Sequence, residues 1–189
     1  MDTDQYLILS LLSLFFGVTA KYADLVNEHG LKEYFKGSGI LAGLLWGAAG
    51  IGILQFSPFA GITYIAHVLY WFQLIKLEFP NHALAGVMIL LGGFFFQGDF
   101  LFQHRNELFL LYLAYTVTGY IQSYFKRNNP STYQFWRLRL RIYLIPLIYS
   151  FYLHNSAPFI ATLFGMIGCE VMTYLYRAYK DDLIPRGSP

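Results

Sequence analysis

The sequence predicts an all-α integral membrane protein, a single bundle of about seven transmembrane helices with its N-terminus outside and its C-terminus in the cytoplasm. Three observations predict it. Charged residues make up 13% of the 189 residues and apolar ones 56%, whereas ordinary soluble domains are roughly a quarter charged; so few charges cannot cover a globule that faces water. Apolar runs recur at the length that crosses a bilayer core of about 30 Å, roughly 17–25 helical residues. Lysine and arginine, finally, alternate from one side of those runs to the other.

In chain order the runs are Gln5–Ala20, Gly37–Phe56, Pro58–Lys76, Asn81–Gly98, Glu107–Phe125, Ile142–His154 and Ala157–Tyr176. The first follows the acidic start Met1-Asp2-Thr3-Asp4-Gln5, which lacks the positive n-region of a signal peptide, so it counts as a mature span. The second carries Gly39, Gly43 and Gly47 on one helical face, with Gly50 close to it, where another helix backbone can approach. That face serves either packing inside the chain or contact with a second copy, a homo-oligomer, or a substrate tail. The third run has His67 near its middle. The fourth is opened by Pro80-Asn81, with Asn81 placed as its N-cap.

The fifth run stops before Asn128-Asn129-Pro130. The sixth is the shortest, which makes six spans the neighbouring count, and Pro146 predicts a kink in it. The seventh starts after Asn155-Ser156 and carries Glu170. Residues 1–182 then form one polytopic domain. The closing stretch 183–189 resembles a protease-recognition tail and is set aside.

Positive charge tests this division independently. Lys21, Lys32, Lys36, Lys76, Lys126, Arg127, Arg137, Arg139, Arg141, Arg177, Lys180 and Arg186 all fall in odd-numbered loops or the C-terminal tail, and Arg105 alone falls on the other side. Positive residues stay on the cytoplasmic side, so the alternation orients the bundle. The aromatic content of 20% suits a chain with two membrane–water interfaces. A net charge of +2 without a basic, polar-interleaved run excludes a nucleic-acid footprint. The single Cys169 excludes an intrachain disulfide and reads as a small apolar residue. Nucleophile elbows, phosphate-binding glycine loops, HExxH and paired CxxC motifs are absent from the sequence.

Residues able to carry chemistry gather at the cytoplasmic ends. Asp24, Asn27 and Glu28 share one face of a short loop helix ending near Gly30, and paired carboxylates at that spacing need a cation between them: Mg²⁺ or Mn²⁺, or a lysine. This spacing resembles the Asp-rich segments of intramembrane prenyltransferases, which implies a metal-held lipid diphosphate; the second such segment of those enzymes has no clear counterpart here. Glu78 and His82 flank Pro80 as an acid–base or ligand pair. Arg137, Arg139, Arg141 and Arg177 are candidates for gripping phosphate, or for anchoring against anionic lipid.

Glu170, deep in the last span, is expected to face the bundle interior with a partner such as Arg177, as a ligand or catalytic base. His67 is the other intramembrane polar candidate. The leading functional expectation is a lipid- or isoprenoid-phosphate-processing enzyme, a divalent-metal-dependent transferase, at the cytoplasmic boundary with membrane lipids as its partners. The alternatives are a small-molecule or ion transporter or channel routed past His67 and Glu170, and a non-catalytic membrane subunit.

Overall fold

A computed structural model of the chain describes residues 2–73, 79–128 and 140–183. These residues form seven helices, without a strand among them: α1 Thr3–Glu28, α2 Ser38–Phe56, α3 Pro58–Gln73, α4 Pro80–Gln103, α5 Arg105–Asn128, α6 Leu140–Leu153 and α7 Ala157–Leu183. Four of them, α1, α2, α4 and the Ala157–Tyr179 part of α7, are long and apolar enough to cross a membrane.

Prolines and polar breakers set most boundaries. Pro58 and Pro80 open α3 and α4, at the helix position where a missing N–H costs nothing. Asp2 starts α1 through a capping box with Gln5: each side chain accepts the other residue's backbone N–H, at 2.9 and 3.1 Å. The first span and the expected loop helix are one continuous helix. It ends at Gly30, whose φ of 71° lets the Leu31 N–H return to the Leu25 carbonyl at 3.0 Å. Glu33 then caps α2, its carboxylate accepting the N–H groups of Gly37 (2.9 Å) and Gly39 (3.1 Å).

One expectation is corrected here. Asn81 is not the N-cap of α4; Phe79 holds that position, and Asn81 lies inside the first turn, where its amide joins three helices. α6 carries Pro146 inside a single helix, and a departure from helical backbone falls in α4 at Gln97 (φ −133°, ψ 23°).

Successive helices run up and down, so helix ends meet in two layers. At one end the Tyr176 hydroxyl donates to the His29 carbonyl at 2.9 Å and Asn27 pairs with Asn81. At the other, Ser156 donates to the Tyr6 hydroxyl at 2.9 Å, and the rings of Phe59, Phe100 and His104 cluster. α1 lies between α2 and α7, α2 covers α4, α3 sits centrally, and α6 bridges α5 and α7. One core centres on Leu9, Phe16, Trp46, Ile53 and Ile89; the other, between α3, α5 and α6, centres on Tyr70, Leu111, Tyr115 and Ile145.

Candidate functional site

The last two turns of α1 bring two of the polar candidates, Asp24 and Glu28, together with Lys21 and His29. Lys21, its side chain only 11% exposed, donates from Nζ to Asp24 Oδ2. His29 places Nε2 3.8 Å from the same oxygen. One ligand atom each from Asp24, Glu28 and His29 fall within 4.8 Å of one another. Two carboxylates and one imidazole suit Mn²⁺ better than an all-oxygen preference such as that of Mg²⁺.

Asn27 does not join this group, contrary to the sequence expectation. It turns inward, donating to Asn81 Oδ1, with its amide 3.4 Å from His82 Nδ1. The physical reason is register: α1 wedges against α2 and α4, and Asn27 lies on the face that meets them, whereas Asp24 and Glu28 lie beside it. Asn81, 3% exposed, also donates to the carbonyls of Ala23 and Gly39, both at 3.4 Å, and accepts the His82 N–H at 2.9 Å. His82 is buried with its ring edge-on to Trp46, centroids 5.4 Å apart.

The remaining candidates separate. Glu78, Arg137 and Arg139 lie outside the described residues. Arg141 sits in the first turn of α6, its guanidinium 5.2 Å above the Tyr70 ring. Arg177 is exposed on α7. Glu170 is exposed too, and among the described residues it forms no ion pair, so its expected inward orientation and pairing with Arg177 are corrected. The inner face of α7 is set by Gly165 and Gly168: a Cβ on Gly168 would overlap the Leu14 carbonyl, and one on Gly17 would overlap the Gly165 carbonyl. At about 100° per residue, Glu170 falls on the far side from Gly168.

The glycine ladder of α2 is filled from within the chain. A Cβ on Gly43 would stand 2.6 Å from the Asn81 carbonyl oxygen, one on Gly47 2.9 Å from the Met88 side chain, and one on Gly50 2.6 Å from Ile89. Gly39 faces Glu33, Val26 and Asn81. Close approach of α4 is therefore the use this face has within the bundle.

His67 belongs to a feature that no linear pattern announced. A cavity of about 140 Å³ opens between α1, α3, α5, α6 and α7, walled by Phe16, Tyr64, His67, Trp71 and Tyr115, with Ala20, Met166 and Cys169 at its sides. The imidazole lies flat on Tyr115 at 4.7 Å and 7°, and Trp71 is tilted 47° to it. His29 and Glu33 were also missed by sequence reasoning. The signals were Glu33 just ahead of Gly37 and Gly39, and a histidine following the acidic helix end.

Comparison of the chain with protein-family models, curated proteins and solved structures finds no match in any of the three.

Proposed function

We propose that the protein is a membrane-embedded enzyme that processes a lipid or isoprenoid phosphate, spanning the bilayer about seven times with its N-terminus outside. The single observation that carries this reading is a juxtaposition along α1. Asp24 and Glu28 stand with His29 at the basic end of the bundle, and Ala20, one turn back from Asp24, already lines the aromatic cavity. At about 1.5 Å per residue, the cavity begins about 6 Å membrane-ward of the carboxylates. A polar head and an apolar body thus have adjacent places.

In this reading Asp24, Glu28 and His29 hold Mn²⁺ or Mg²⁺, which neutralises phosphate oxygens and stabilises the leaving group. Lys21 and the arginines of the same end, Arg141 and Arg177 among them, add positive charge around the phosphate. Exposed apolar side chains on the flanks of the bundle support the membrane placement: Phe95 is 72% exposed and Phe94 and Phe151 are comparable. In water such a belt is an aggregation surface; in lipid it is solvated. The transport reading is less well supported, because Glu170 faces away from any path past His67.

The test is metal-dependent thermal stabilisation of the purified protein. Mn²⁺ is expected to raise the melting temperature, and Asp24→Ala or Glu28→Ala to abolish the rise. An equal rise in wild type and both variants, or none at all, contradicts the metal site.

A further inference from the structure

We propose that the cavity between α1, α3, α5, α6 and α7 is a binding site for a neutral apolar group about the size of one six-membered ring, and that its floor blocks entry of larger ones between α1 and α7. The volume argues for this first. At about 140 Å³ the space matches the roughly 150 Å³ apolar cavities that stay dry and take up benzene.

Wall chemistry argues the same way. Four hydroxyl-bearing residues line the space, Thr63, Tyr64, Tyr115 and Thr162, and three of them direct their hydrogen to a backbone carbonyl instead: Thr63 to Ala60 at 2.7 Å, Thr162 to Pro158 at 2.9 Å, and Tyr64 to Ala161 at 3.0 Å. A buried water needs two to four polar partners, and these three donors are already engaged. The walls present ring faces, with His67 and Tyr115 parallel and Trp71 tilted against them. A planar ring or an isoprene unit gains offset-stacked or edge contacts there.

The size limit comes from the floor. Gly165 lines the cavity, and the α1 and α7 backbones touch beside it: a Cβ on Gly17 would overlap the Gly165 carbonyl. No side chain separates the two helices at that level, so an occupant cannot extend between them. If the head group sits as proposed above, the cavity receives the part of the substrate about 6–12 Å from the carboxylates, the rise from Asp24 to Ala20 and Phe16. That positional clause rests on the proposed function; the ring-sized site does not.

The experiment uses the full chain in nanodiscs and reads quenching of its tryptophan fluorescence by bromobenzene and by 9-bromoanthracene. Bromobenzene is expected to quench saturably through Trp71, and 9-bromoanthracene to bind at least about tenfold more weakly. Two independent filling variants, Ala20→Leu and Met166→Phe, should lose saturable quenching while melting cooperatively, and Thr63→Val should retain it. Absent saturation with bromobenzene, equal binding of both probes, or unchanged quenching in both filling variants would overturn the proposal. Geranyl phosphate with Mn²⁺, tested on the same preparation, addresses the head-group reading separately. Its failure to bind beside intact bromobenzene quenching refutes that reading and leaves the cavity site standing.

Discussion

The two sides of the bundle are packed by opposite means. Between α1, α2, α4 and α7, glycines let backbones touch: Gly17 meets Gly165, Gly168 meets Leu14, and Gly43 meets Asn81. Between α3, α5 and α6, rings hold the helices apart: Tyr70, Tyr115 and Tyr149 fill the contacts. The glycine side has no room to spare, and its polar groups tie across helix ends through Asn27 and Asn81. The aromatic side leaves a ring-lined space where it meets α1 and α7. The difference teaches where space is left in the bundle: among the rings, next to α1 and α7.

The same kind of substitution should therefore have opposite signs on the two sides. Gly168→Leu forces a side chain into the Leu14 carbonyl and is expected to cost about 3 kcal/mol or more, read as loss of melting temperature or of folded yield in detergent. Asn81→Ala strands the Asn27 amide and the Ala23 and Gly39 carbonyls, and should cost about 2 kcal/mol in the same assay. Ala20→Leu, which adds carbon to the cavity, should stabilise by about 1 kcal/mol. A stabilised Gly168→Leu or a strongly destabilised Ala20→Leu would break the contrast.

The smallest effect is a pH dependence in the α1–α2 loop. The N–H groups of Gly37 and Gly39 hold the Glu33 carboxyl below the usual carboxylate range. Its ionised form thus contributes stability above the ordinary carboxylate pKa, and that contribution disappears as pH falls through the lowered folded-state value. Glu33→Gln should melt slightly lower than wild type near neutrality and converge with it in acid. Parallel curves across that range would mean the cap is electrostatically silent.

Helix positions were legible because prolines and asparagines punctuate the chain: Pro58, Pro80 and Asn155-Ser156 fall at boundaries of α3, α4 and α7. The Asp2–Gln5 box went unread, although an Asp followed three residues later by Gln is its local signal. The Asp24–Glu28 pair was visible from its four-residue spacing on one helix. What stayed hidden depends on which faces meet. Asn27 and Glu28 are neighbours in sequence, yet one ties α1 to α4 and the other faces outward with Asp24 and His29. Glu170 points away because Gly17 and Gly165 come together, a contact between residues at opposite ends of the chain. The cavity is assembled in the same way: Tyr64 bonds to Ala161, 97 positions on, and His67 stacks on Tyr115. Local pattern carries no signal for such pairings.

The central claim is that the end of α1 holds a phosphate through a divalent ion while the neighbouring cavity takes its apolar part. Native mass spectrometry of the detergent-purified protein, with lipid and metal identification, tests it most directly. The account predicts a retained phospholipid or prenyl phosphate accompanied by one divalent ion, both lost together in Asp24→Ala. A wild-type species that carries neither, even after incubation with Mn²⁺ and geranyl phosphate, would contradict it.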